Sequence, residues 1–393
     1  MSEEDIRSWF LFFSPNFRRL AISPERLNIY IRNIFVSITI KKQTTMRKKE
    51  QTTVEPLEGK IVSEKTLGIE TAEVIEAEVI TDEEQGAEHP NFIESNTSAI
   101  TLDELTNNNI IPTFCDNSLT ISHQSFIGAV TQTAEKVFGD LTPVECRVSH
   151  PIIGRVPSAQ HKKASELTED EKTTFYQRLA FVCHVKNLTR SINGQTVHLC
   201  IGGCRSYSED KLYYRQSPLK FKIFVGWQVR VCSNLMLTCD GNSGTIECLT
   251  EADIMQKATE LFESFNPNKE EALQLLENLQ TTVISEQQFC NIIGRLRLYQ
   301  SLPLAEQKQI PTLALGDQAI GGMCKGYISN PNFGKKDGEN FTTWNLLQLA
   351  TEAVKSSYID KFIDRCQNAT DFSIGIQKAI NGEDTEGYSW FLN

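Results

Sequence analysis

The sequence predicts an α+β protein: a disordered acidic N-terminal tract, an antiparallel β-rich domain with helices, and a mainly helical C-terminal half. Three patterns carry this. Residues 144–249 alternate apolar and polar positions between turn dipeptides. From residue 250 the apolar positions recur at helical spacing. Residues 47–91 contain no Phe, Tyr or Trp and are dense in glutamate, so they offer too little burial to offset chain entropy. The domain bounds that follow are 1–45, an extension; 46–97, the acidic tract; 98–249, the α+β domain; and 250–393, helices packed on it.

The extension holds LNIYIRNIFVSITI, with features of both strand and helix. MRKKEQTT, starting at Met46, reads equally well as a bacterial N-terminus, which would make 1–45 an over-extended gene start. Order is expected near Ile100. Thr101 and Glu104 form a capping-box pattern. Ser122 is a natural N-cap for a helix whose apolar face includes Phe126, Val130 and Ala134, with Gly139 suited to the turn at its end. Strands are expected at 144–149, 175–187, 196–207, 219–226, 228–239 and 245–249. Asn193-Gly194 and Asp240-Gly241 are hairpin signals, because such residues tolerate positive φ, and their spacing favours an antiparallel meander. Thr250 with Asp253, and Ser285 with Gln288, open helices, and Pro303 ends the second.

The net charge of -11 conceals uneven segments. Basic and acidic side chains number 10 and 4 in 1–49, 2 and 15 in 50–110, 15 and 12 in 111–249, and 12 and 19 in 250–393. The middle is mildly basic, and a partner feels that local field more than the total. The 11 cysteines include no Cys-x-x-Cys. Neither a signal peptide nor an apolar run of roughly 18 residues is visible, so a reducing cytoplasm and no membrane span are expected.

The residue types point to three candidate chemistries. A zinc site would draw on His150, His161, His184 and His198 near Cys183, Cys200 and Cys204. Strand alternation sends Cys183 and His184 to opposite faces, although His198 and Cys200 share one. A hydrolase would need an elbow or converging carboxylates. IGGC (201–204) and IGGM (320–323) lack the spacing of phosphate loops, and suit close packing instead. Phosphate binding fits best. RVSHPIIGRVPSAQHKK (147–163) carries Arg147, Arg155, Lys162 and Lys163 without an acid. Arg205, Lys220 and Lys222 are interleaved with Tyr207 and other aromatics, a mixture that suits single strands because cations follow the backbone while rings stack on bases. The ordinary alternative is a solvated basic strand face over a core.

The runs RVSHPIIGRVP, EKTTFYQRLAFV, IGGCRSY, FKIFVGWQVRVCSNLMLTCDG, IIGRLRLYQSLP and SSYIDKFIDRCQNA resemble an uncharacterised bacterial domain-of-unknown-function family of plasmids, conjugative elements and prophages. The resemblance covers roughly 102–380 and leaves 1–97 outside. VCSNLM is also similar to a larger group of phage/plasmid-like proteins. The resemblance implies a mobile-element setting and supplies no catalytic residue. The expected function is a non-catalytic accessory protein binding single-stranded or distorted nucleic acid in recombination or replication. It would act through Arg147, Arg155, Lys162, Lys163, Arg205, Tyr207, Lys220 and Lys222, with no cofactor and no metal. Homo-oligomerisation and a protein partner on the acidic tract are further expectations. The alternatives are a metal-dependent hydrolase or nuclease built around His150, and a structural or adaptor protein of a phage or plasmid.

Overall fold

The computed structural model describes residues 90–108, 120–155, 157–159, 161–210 and 217–393. All lie within one compact unit, Asp82–Asn393. The expectations for 1–45 and for most of the acidic tract fall outside the described residues. The chain is nevertheless built into the core earlier than expected, because Phe92 and Ile93 are buried and Phe92 meets Phe362 edge to face.

The fold is α+β, as the sequence predicts. Nine strands are present among the described residues: β1 (Thr97–Ile100), β2 (Glu145–Ser149), β3 (Ile152–Arg155), β4 (Lys172–Tyr176), β5 (Leu179–Ile192), β6 (Gln195–Arg205), β7 (Leu219–Val229), β8 (Leu235–Met236) and β9 (Ile246–Cys248). The main sheet runs β1-β2-β5-β6-β7-β8 with β9 also on β7, and every pair is antiparallel. Asn193 and Gly194 have φ of 50° and 74°, the left-handed conformations that close the β5–β6 hairpin.

Two expectations are corrected, and one strand pair is additional to those expected: β3 and β4 form a hairpin of their own, with Gly154 inside β3. The break between 226 and 228 is absent, because Trp227 lies within continuous β7. Asp240-Gly241 is no hairpin turn but the end of a short 3-10 helix, Cys239–Gly241.

The helices are α1 (Leu102–Asn108), α2 (His123–Phe138), α3 (Glu251–Ser264), α4 (Glu270–Asn278), α5 (Glu286–Ser301), α6 (Leu304–Gln307), α7 (Asp317–Ser329), α8 (Thr343–Val354) and α9 (Ile359–Ile380). Their starts follow the sequence signals. The Glu104 amide donates to Thr101 Oγ1, and Ser125, Asp253 and Gln288 amides donate to Ser122, Thr250 and Ser285. Among the described residues no helix is long and apolar enough to cross a membrane.

Both faces of the sheet are covered. Phe126 of α2 packs on Phe181 and Phe221, with ring centroids 5.4 and 4.7 Å apart. The alternate residue, Lys222, points the other way and is held by Asp360 and Asp364 of α9. Asn234 Nδ2 donates to Gln348 of α8, tying the segment beside β8 to the same helical layer. The core is thus continuous from Phe92 to Phe391.

The IGG run of β6 is tightly packed between its neighbouring strands. A Cβ on Gly202 would lie 2.1 Å from the Phe181 carbonyl oxygen and 2.6 Å from the Phe224 ring. Backbone in a central strand cannot give way cheaply. Gly202→Ala is therefore expected to cost about 3 kcal/mol, the upper range for overpacking. Urea denaturation checks this, and a loss under about 1 kcal/mol would contradict the packing.

At the C-terminus, Asp384 accepts from the Glu386, Gly387, Tyr388 and Ser389 amides and from the Ser389 hydroxyl. Burial opposes its ionisation, but the Ser389 and amide donors outweigh that and hold the carboxyl well below its usual range. This cap seats Tyr388 against Gly375, where a Cβ would lie 2.4 Å from the ring.

Candidate binding face at the open end of the sheet

Four of the eight residues assigned to nucleic acid are spent inside the fold. Arg147 is 8% exposed. It donates from Nε to Thr97 Oγ1 at 2.9 Å, from Nη1 to Asn91 Oδ1 at 2.7 Å and from Nη2 to the Thr97 carbonyl at 3.0 Å. It therefore pins β1 and the chain leading into it. Arg205, 1% exposed, reaches Asp210 Oδ2 at 3.4 Å and the Ile121 carbonyl, with its guanidinium 4.2 Å from the Tyr207 ring centre and 4.5 Å from that of Phe221. Tyr207 is itself buried. Lys222 Nζ donates to the Asp360 carbonyl at 2.7 Å and to Asp364 Oδ2 at 2.9 Å. Alternation marks which residues share a face, but not what covers that face: α9 closes over Lys222, Arg205 and Tyr207 lie on the α2 side with Phe221 and His123, and Arg147 is taken up by Asn91 and Thr97.

The other four differ in their surroundings. Lys162 pairs with Glu171, and Lys163 is exposed. Arg155 ends β3 opposite Lys172. Lys220 is half-buried opposite Glu247, its amide donating to Asp210 Oδ1 at 2.8 Å. Of the zinc candidates, His150 and His161 are exposed. His198 and Cys200 share a face as read, yet the Cys200 thiol is buried and 3.3 Å from the Gly226 carbonyl, and burial pushes its pKa upward. No group of three His, Cys, Asp or Glu residues suited to a metal occurs among the described residues.

What the sheet does bring together is His184 and His198. The β5–β6 ladder slips between His184 and Thr189, so 185–188 bulge out. The segment before β2 braces the bulge: the Lys186 amide donates to the Asp140 carbonyl, and the His184 amide donates to Thr142 Oγ1 at 2.9 Å. The register then sets Thr189 opposite His198, and His198 opposite Gln228. The two imidazoles meet edge to face with centroids 5.7 Å apart.

Gln228 fixes the orientation of His184. Its Nε2 donates to the Ser233 carbonyl at 3.0 Å, so its Oε1 faces His184 Nε2 at 2.5 Å and accepts from it. Burial, then the charges of His184 and Arg230, lower the pKa of His198. This end of the sheet thus offers the His198 ring, biased toward its neutral form, beside the Arg230 guanidinium. Both histidines are half-buried, whereas Thr189, Ser191, Thr196 and Arg230 around them are exposed. Flat rings, hydroxyls and one cation suit stacking and phosphate contact. A second concavity, about 560 Å³ beside β1, is lined by Glu104, Glu135 and Glu145, and its charge suits the opposite kind of ligand.

No curated protein and no solved structure matches this chain. A family model described as "Domain of unknown function, B. Theta Gene description (DUF3871)" matches residues 71–392. The match begins well before residue 102, so part of the acidic tract lies inside the shared region, which corrects the boundary drawn from the sequence runs. The chain belongs to this domain-of-unknown-function family.

Proposed function

We propose that the protein is a non-catalytic accessory protein of a mobile element that takes single-stranded nucleic acid at the open end of its sheet. The observation that carries the reading is the pair of half-buried imidazoles on the sheet face that also bears Arg230. Bases stack on such rings whatever their sequence, and a neighbouring guanidinium meets the phosphate chain. The buried bases of the first reading serve this indirectly: Lys222 and Arg205 hold the layers that keep the sheet rigid. The mobile-element setting rests on the resemblance of runs such as VCSNLM.

Fluorescence anisotropy with a labelled oligonucleotide tests the reading. Binding is expected at low salt and should weaken as salt rises. His198→Ala is expected to lose roughly 1–3 kcal/mol of binding, the worth of one stacked base. Arg230→Ala should lower the salt slope by about 0.7, one phosphate contact on a single strand. No binding at low salt, or binding insensitive to salt, would overturn the proposal.

A further inference from the structure

Helices α5 and α7 run antiparallel with a register their contacts define. The Phe289 ring stacks on Tyr327 at 4.1 Å, and Arg297 Nη2 lies 3.6 Å from Asp317 Oδ1 and 3.9 Å from where a Cβ on Gly321 would sit. Descending one helix therefore ascends the other, and residue 290 falls opposite 324. Cys290, Gly294 and Arg297 form one stripe at i, i+4 and i+7, and Asp317, Gly321 and Cys324 form the facing one. Cys290 and Cys324 fall at the same end of the two stripes. The glycines lie one turn away: a Cβ on Gly294 would meet nothing within 4 Å, and one on Gly321 only the end of Arg297.

We infer that Cys290 and Cys324 are a redox-active thiol pair that closes to a disulfide across α5 and α7. Cys290 is exposed and Cys324 half-exposed, unlike the buried thiols of the sheet. Their environment agrees with close approach: burial raises the Cys324 pKa, Arg297 draws it down, and the nearby Cys290 raises it again. The oxidant is a small-molecule disulfide such as oxidised glutathione. Cys290 loses its proton to water, and its thiolate attacks one glutathione sulfur and expels glutathione thiolate. Cys324, deprotonated in turn, attacks the Cys290 sulfur of the mixed disulfide and expels the second glutathione. Two protein thiols are oxidised, one glutathione disulfide is reduced to two thiols, and the released protons reach the expelled thiolates.

The test is to incubate the full chain with oxidised glutathione, alkylate the remaining thiols, digest, and analyse the peptides by mass spectrometry. The expected result is a peptide linking 290 to 324, with both thiols lost together. Exposed Cys239 should carry only a stable mixed disulfide. In Cys324→Ser, the mixed disulfide should persist on Cys290. Absence of the linked peptide from the wild-type chain, whether Cys290 is still free or carries a stable mixed disulfide, overturns the inference.

Discussion

Arg205→Ala is expected to lower the unfolding free energy by about 3–5 kcal/mol, because it leaves Asp210 as a buried carboxylate without its partner. Both side chains are fully removed from solvent. Burial acts on each in the sense that disfavours charge: it lowers the Arg205 pKa and raises that of Asp210, while each opposes the shift of the other. The arginine also fills the space between the Tyr207 and Phe221 rings and caps the Ile121 carbonyl. Urea denaturation of the variant measures the loss. The double variant Arg205→Met with Asp210→Leu should recover a large part of it, since two apolar side chains leave no orphaned charge. A single-variant loss below about 1 kcal/mol would mean that the pair is not buried as described.

The second large effect is an acid sensitivity seated at His123. Its ring is fully buried at the start of α2, with Nε2 2.8 Å from the Gln177 carbonyl and its centroid 4.7 Å from that of Tyr207. Burial first, and then the nearby Arg205 charge, depress its pKa to about 3, while the Gln177 contact opposes the shift. The folded chain therefore resists a proton that the unfolded chain accepts near 6.5. The contribution is complete above pH 6.5 and is lost as pH falls from there toward 3. Within that window stability should fall by up to about 1.4 kcal/mol per pH unit from this group. The check is a series of urea denaturation curves between pH 7.5 and pH 4.5 for the wild-type chain and His123→Gln, which keeps a donor. The variant should be the less stable at pH 7.5, and the gap should narrow as pH falls. A gap that stays constant would show that His123 takes up its proton in the folded state as readily as in the unfolded one.

How much of this was legible in the sequence differs between the local and the long-range. Caps at Ser122, Thr250 and Ser285 and the turn at Asn193-Gly194 were readable, because each signal and its consequence lie within a few residues. The IGG run of β6 was readable as close packing, though not its neighbours, Phe181 and Phe224, which come from two other strands. The candidate site was legible only in part. Arg147, Arg205 and Lys222 look like a phosphate track along the chain, yet their partners Asn91, Asp210 and Asp364 stand 56, 5 and 142 positions away. Only α9, late in the sequence, decides that Lys222 faces an acid rather than solvent.

The histidine pair illustrates the converse. His184 and His198 stand in the sequence as zinc candidates beside cysteines, and strand alternation only separates His184 from Cys183 and sets His198 with Cys200. Their meeting depends on the bulge at 185–188, and nothing in VKNL marks one. Gln228 and Arg230, two strands from His184, become neighbours only through the register. The reading of RVSHPIIGRVPSAQHKK as a phosphate-contacting stretch changes accordingly. Arg147 is a structural clamp and Lys162 pairs with Glu171, leaving Lys163 as the exposed base of that loop whose side chain is described.

The measurement that bears most directly on the binding face is hydrogen exchange of the full chain with and without a saturating single-stranded oligonucleotide. The amides of 184–198 and 228–231, at the open end of the sheet, are expected to slow on binding, while those of 147–163 stay unchanged. Protection confined to 147–163, or no protection at the β5–β6 hairpin under conditions where the oligonucleotide is bound, would contradict the account.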